Sequence, residues 1–130
     1  MFYAIEAKKI ATVDVQAVVA SSEQVKALKK EQETKVKELE KWLKTAKADV
    51  DKQQSEASKE RLLKKYNADF EKRKQDMAKN YQTKLQAIDK SITATIAEQA
   101  KANGYDLVLT RGVVLYGADD LTPAVQKVVK

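Results

Sequence analysis

The sequence predicts an α+β protein in which a long antiparallel helical hairpin is carried on a small β-sheet body through which copies associate. Three observations predict it. The 130-residue chain has no glycine or proline before Gly104, then places Gly104, Gly112, Gly117 and Pro123 close together. Its residues are 34% charged and 43% apolar with a mean hydropathy of -0.57, too apolar and too regularly spaced for disorder. Short β-branched runs stand at the two ends, "IATVDV" and "YDLVLTRGVVLY".

Ile10 to Val15 reads as a strand, followed by one apolar turn at Ala17, Val18 and Val19. Ser21 then offers a helix cap, with Gln24 as its capping-box partner. From Glu23 the sequence reads helix for more than thirty residues. Val36, Leu39, Leu43, Ala46 and Val50 follow one another at intervals of 3, 4, 3 and 4, the spacing that keeps one seam against a partner helix. Extended backwards, that register passes through Gln32, Lys29 and Val25, with Leu28 beside it, so the seam turns polar near its base.

A second helix fits from about Lys59 to Asn103, with Leu63, Tyr66, Phe70, Arg73, Met77, Asn80 or Tyr81, Leu85, Ile88, Ile92 and Ile96 on its seam. Between the helices "QQSEASKE" is the least apolar stretch, and Ser58 is a fitting restart. An uninterrupted helix from Glu23 to Asn103 would be roughly 120 Å long, whereas a hairpin has arms of roughly 50 and 65 Å. The hairpin is preferred because it brings the strand signals at the two ends together, so that a sheet can form.

Asn103 and Gly104 end the second helix. Tyr105 to Thr110 reads as a strand, Arg111-Gly112 as a tight turn and Val113 to Tyr116 as a further strand. Gly117 to Asp120 is a loop, and Thr122 caps a last helix with Pro123 at its first position. There "AVQKVV" presents Val125, Val128 and Val129 on one face. The division is a β-rich body of residues 1–22 and 103–130 and an arm of residues 23–102. The body's apolar residues, Ile10, Val13, Val15, Leu107, Leu109, Val113, Leu115, Leu121 and Val125, are few for one copy. Self-association through Ile10, Val13, Val15, Leu107, Leu109, Val113 and Leu115 answers that shortage.

Composition narrows the chemistry. With no Cys and no His, thiolate sites, disulfides, a cysteine nucleophile and the commonest general base and metal ligand are excluded. Ser21 and Ser22 have no histidine partner, and "RGVVLYG" lacks the order and spacing of a dinucleotide fingerprint. Asp119 and Asp120, with Asp106 and Asp14, form an acidic group outside the arm that reads as a loop favouring a helix start. No enzyme, cofactor or metal is expected.

The formal charge of +6 favours acidic or anionic partners. Residues 41–74 hold eleven Lys or Arg (Lys41, Lys44, Lys47, Lys52, Lys59, Arg61, Lys64, Lys65, Lys72, Arg73, Lys74) against six acids, a surplus of +5. Arg61 and Arg73 are the arginines of the long middle section; lysines supply the rest, so the planar forks that read base edges are scarce and no specific nucleic acid is expected. Trp42, Tyr66, Phe70, Met77 and Tyr81 line the same section. In part they form the seam, and in part they offer adaptable apolar contacts to a flexible client, rimmed by Lys41, Lys44, Lys47, Lys64, Lys65, Lys72 and Lys74. A coiled-coil adaptor for one folded partner is the alternative. No run of apolar residues is long enough to span a bilayer, and "MFYAIEAKK" has the wrong length and charge order for a signal peptide.

The two ends together resemble the Skp/OmpH-like periplasmic chaperones, which hold unfolded outer-membrane proteins. "KIATVDVQAVVASSEQVKALKKEQE" is similar to that family's strand, short helix and arm start. "AEQAKANGYDLVLTRGVVLYGADDLTPAVQKVVK" is similar to its glycine-tyrosine-aspartate turn, β-hairpin and closing helix start. The resemblance covers Lys9 to Lys130, with Pro123 standing where relatives commonly carry an acidic residue. It implies a homotrimer whose body strands are Ile10 to Val15 and Tyr105 to Tyr116 and whose closing helix is Ala124 to Val129. It also implies three helical arms enclosing a cavity for an unfolded client, Lys41 to Lys74 lining or rimming it, without ATP or metal. An extracytoplasmic or periplasmic location, a role in outer-membrane protein assembly and a further affinity for anionic membrane surfaces are the accompanying expectations.

Overall fold

The structure, a computed structural model, describes residues 9–130. The reading of the opening stretch as unlike a signal peptide, and the predicted body before Lys9, lie outside the described residues. The elements follow in the order β1 (Ile10–Val13), α1 (Val15–Ser21), α2 (Glu23–Asp51), α3 (Glu56–Ala102), β2 (Leu107–Thr110), a 3-10 turn (Arg111–Val113), β3 (Asp119–Asp120) and α4 (Thr122–Val128). Two long helices and one small sheet make the α+β class. The chain divides into two compact units, one of residues 9–26 with 86–130, the other Ala27–Leu85.

In the first unit β1 is the central strand. β2 and β3 flank it, both parallel to it, with Ile10 opposite Leu107, Val13 opposite Thr110, and Ala11 and Thr12 opposite Asp119 and Asp120. Being central, β1 does not alternate; Ala11, Thr12 and Val13 are all buried. Lys9 ties the strand starts together. Its N–H donates to Asp106 Oδ2 at 2.9 Å, and its carbonyl accepts from the Asp106 N–H at 2.8 Å.

The strand ends two residues earlier than predicted, and Val15 begins α1 instead. Asp14 causes the change: its carboxylate accepts from the Ala17 N–H at 3.1 Å and caps the new helix. α1 packs on α4, and Val18 and Val125 lose all solvent exposure. The predicted cap of the long helix moves from Ser21 to Ser22, which closes α1 and opens α2. Ser21 instead turns its hydroxyl back onto the Ala17 carbonyl at 3.1 Å.

α3 ends as the sequence predicts. Gly104, with φ of 77°, donates to Lys101 O at 3.2 Å, and Tyr105 donates to Ala100 O at 2.8 Å, a Schellman closure. The antiparallel hairpin predicted next is absent. A two-residue hairpin turn needs positive φ, and among the described residues only Gly104 and Gly117 have it. Gly112 therefore enters a 3-10 turn, and Val113, Leu115 and Tyr116 form no strand on their own chain and stand 70%, 103% and 95% exposed. After Gly117, with φ of 95°, the chain pairs Asp119–Asp120 with β1 where a loop was predicted.

Thr122 is the first residue of α4 rather than its cap. Its hydroxyl accepts from the Asp14 N–H at 2.9 Å, while Asp120 Oδ1 accepts from the Thr122 N–H at 3.0 Å. Pro123 occupies the first turn as expected. Of the three valines assigned to one face, Val125 is buried and Val128 is exposed. Of the predicted body residues, Val13, Leu121 and Val125 are buried, whereas Ile10, Val15, Leu107, Val113 and Leu115 remain exposed on the single chain.

Arg111 lies 3.8 Å from Asp14 and 3.5 Å from Asp120, joining the ends of all three strands. Hydrogen bonds from Thr122, assisted by Arg111, hold the Asp120 carboxyl below its ordinary pKa. A depressed carboxyl contributes stability above the ordinary carboxylate range and loses it as pH falls through the folded pKa. Asp120→Asn keeps the hydrogen-bond acceptor, so it is expected to flatten the acid limb of the thermal midpoint against pH while leaving neutral behaviour nearly unchanged. An acid limb identical to that of the parent chain would remove Asp120 from the acid response.

Candidate functional site

The candidate site lies on the Ala27–Leu85 unit, where α2 and α3 run antiparallel. The turn between them forms without glycine. Lys52 and Gln53 close α2 through Ala48 O and Val50 O, and Ser55 starts α3 by accepting from the Ser58 N–H at 3.1 Å. The restart thus falls three residues before the predicted one, because Ser58 supplies the backbone donor and Ser55 the acceptor.

The observed seam is shifted by one residue in places. On α2 it passes through Leu28, Lys35, Leu39, Trp42, Ala46 and Val50; Val36 and Leu43 turn outward at 43% and 39% exposure. On α3 Leu62 and Lys84 face inward, while Leu63, Arg73 and Leu85 are exposed. The cause is Trp42. Its ring meets Tyr66 edge-on at 5.7 Å between centroids and lies nearly parallel to Phe70 at 6.3 Å. A ring of that size at the seam rotates Leu43 to the flank.

Cations close the cluster from above. The Arg73 guanidinium sits 4.6 Å from the Trp42 ring centre, and Lys74 Nζ sits 4.9 Å from that of Phe70. The Tyr66 hydroxyl donates to Asp49 Oδ2, which raises the phenol's pKa. Beside the rings runs an apolar groove of about 300 Å³ that includes Leu43, Ala46, Val50 and Leu63.

Nearer the open end the seam is polar. Glu31 takes Lys84 across the hairpin and Lys35 along α2, the latter at 3.2 Å, and both cations hold its carboxyl below the ordinary range. Met77 joins Leu39, Lys35, Glu38, Arg73, Asp76 and Asn80 around a groove of about 270 Å³. Tyr81 shares a second groove, of about 510 Å³, with Val36, Lys29 and Lys37.

Of the predicted client-contact residues, then, Trp42, Tyr66 and Phe70 come together as one cluster that is largely spent on joining the two helices. Met77 and Tyr81 line two other grooves. Lys41, Lys44, Lys47, Lys64, Lys65, Lys72 and Lys74 are all exposed, and of these only Lys74 pairs with a described acid, Glu71 at 3.0 Å. The outward apolar residues Val36, Leu43, Leu63 and Leu85 were not predicted as contact residues. The adjacent Trp42-Leu43 pair, where either can take the seam, was the signal for one of them. Among the described residues no group of three His, Cys, Asp or Glu is placed to hold a metal, and no helix is long and apolar enough to cross a membrane.

The family described as outer membrane protein (OmpH-like) matches residues 9–129. No curated protein matches the chain. In fold the chain is similar to a solved structure described as an outer membrane chaperone (OmpH-like) from Caulobacter crescentus CB15. The TM-score is 0.68 at 18% identity, covering 98% of this chain and 86% of that one.

The aromatic cluster makes a quantitative demand. Phe70→Ala removes the ring stacked on Trp42 and is expected to destabilise the hairpin by about 2–4 kcal/mol, whereas Lys64→Ala on the exposed face stays within about 0.5 kcal/mol. Chemical denaturation followed through the emission of Trp42 measures both; equal effects would mean the rings do not join the helices.

Proposed function

The chain belongs to the OmpH-like family of periplasmic chaperones, and on that premise we propose that it is an ATP-independent holdase for unfolded, membrane-destined polypeptides. Membership also makes it a chaperone rather than an enzyme, and the family's extracytoplasmic location is the location proposed here. The observation that carries the reading is the surface of the hairpin unit. Exposed lysines without a described acidic partner alternate there with the outward Val36, Leu43, Leu63 and Leu85.

Each kind of contact has a physical task. Lysines hold mobile, hydrated charges that draw in an anionic chain over a distance set by salt and keep the complex soluble. Single outward aliphatics offer many weak apolar contacts that select little by sequence. A client held this way is bound by number rather than by fit, so it can leave without an energy source.

Assembly completes the proposal. Ile10, Val15, Leu107, Val113, Leu115 and Tyr116 expose apolar surface on the single chain, more than a small sheet leaves open without a partner. We place the contact between copies there, in a homotrimer whose hairpins hold the client between them. Val13 and Leu109, assigned to the same contact from sequence, sit in the sheet beside it.

Two experiments test this. An unfolded β-barrel protein diluted from denaturant is expected to stay in solution with about one trimer per client and no nucleotide. A native mass measurement of the same sample should give three chains plus one client. Unhindered aggregation would end the holdase reading, and a monomer persisting at micromolar concentration would end the trimer. Replacing Lys64, Lys65, Lys72 and Lys74 by Glu should leave assembly intact and slow client capture at low salt, the difference shrinking as salt rises. A capture rate equal to the parent's at every salt concentration would remove the electrostatic part.

A further inference from the structure

We infer that residues 129–130 form a latch that caps α2 and couples the docking of α4 to the start of that helix. The inference rests on one serine. Ser22 has 0% exposure, and every one of its polar groups is used. Its N–H donates to Val19 O at 3.1 Å and closes α1, and its carbonyl accepts from the Lys26 N–H at 3.2 Å. Its hydroxyl oxygen accepts from the Val25 N–H at 3.3 Å, and its hydroxyl hydrogen goes to the main-chain oxygen of Lys130, 108 positions away.

The same Lys130 oxygen accepts from the Gln24 N–H at 3.5 Å. Two first-turn donors of a 29-residue helix are therefore satisfied together, one by Ser22 and one by the segment that Ser22 holds. That electron-rich oxygen also stands where the helix dipole favours negative charge. Approach of the segment is set by α4. Gln126 Nε2 donates to Ala17 O at 3.2 Å and to Ser21 Oγ at 3.1 Å, which fastens α4 along the last turn of α1.

The latch is built to hold and also to open. α4 has seven residues and two buried side chains, Thr122 and Val125, so its own stability is small. When it lifts, the Ser22 hydroxyl hydrogen loses its protein acceptor, and the Gln24 N–H loses its partner at the same time. Undocking α4 thus frays the first turn of α2 through the main-chain oxygen of Lys130.

Residue-resolved hydrogen exchange on the full chain tests the coupling. Gln126→Ala removes an exposed side chain whose hydrogen bonds go to Ala17 and Ser21 of α1, and the amides of Gln24 and Val25 are expected to exchange about five- to tenfold faster. The amides of the β1–β2 ladder should keep their rates. Ser22→Ala should produce a similar acceleration at Gln24, and the double variant should add little to either single change. Gln24 and Val25 at parental rates in Gln126→Ala overturn the proposal; so do single effects that multiply in the double variant, or an acceleration spread equally over the ladder.

Discussion

The parallel pairing of β1 with β2 is the constraint on which the rest depends. Parallel strands cannot be joined by a tight turn; they need a crossover, and here the crossover is everything from Asp14 to Asp106, both long helices included. Closing so long a loop costs entropy before any contact is gained, although the cost grows only slowly with length. The Lys9–Asp106 bonds, the Schellman closure at Gly104 and the buried Ala11, Thr12 and Val13 offset it at the point of closure. The pairing also explains where the glycines lie. The helices between need no reversal beyond one polar turn, whereas the chain after α3 must turn at Gly104 and again at Gly117 to place two further strands beside β1.

Much of this was legible in the sequence where one physical rule acts alone. The end of α3 at Asn103-Gly104, the helical start at Glu23, the polar turn and the strand at Leu107 each follow from local chemistry. The misses fall where two rules compete. Ser21 and Ser22 are both capping residues, and the one that caps α2 also bonds the distant Lys130 oxygen, which local chemistry does not reveal. "RGVVLYG" carries the composition of a hairpin, but composition cannot state the sign of φ at Gly112, and the two-residue β3 is made of aspartates that propensity assigns to loops. The heptad count chose Leu43 on hydrophobicity, whereas a cross-helix stack of three rings placed Trp42 at the seam.

The same competition redistributes the candidate site. Arg73 and Lys74 both count toward the charge surplus of the arm, and Lys74 toward its client-contact residues, yet each lies over a ring, and Lys74 also meets Glu71. The surface proposed for a client is then a population of lysines without a described acidic partner and of single aliphatics, spread along helices joined in part by aromatic residues. The aromatic cluster and the outward aliphatics, which composition alone merges, are separated by geometry: rings join the two helices, and the flanks meet the solvent. The family was legible in the motifs of the two ends, whereas the lysine-rich middle offered only a pattern of residue types.

The turn between α2 and α3 has no glycine, no proline and no residue in a left-handed conformation. Its closure depends on a serine hydroxyl and backbone carbonyls from the preceding turn, not on a particular loop shape. Reach is therefore a modular quantity in such a molecule. Inserting matched seven-residue blocks into both helices would lengthen each by about 10 Å and leave every seam residue on its original face. Duplicating such a block would therefore change the span of the helix pair with the tip carried along unchanged.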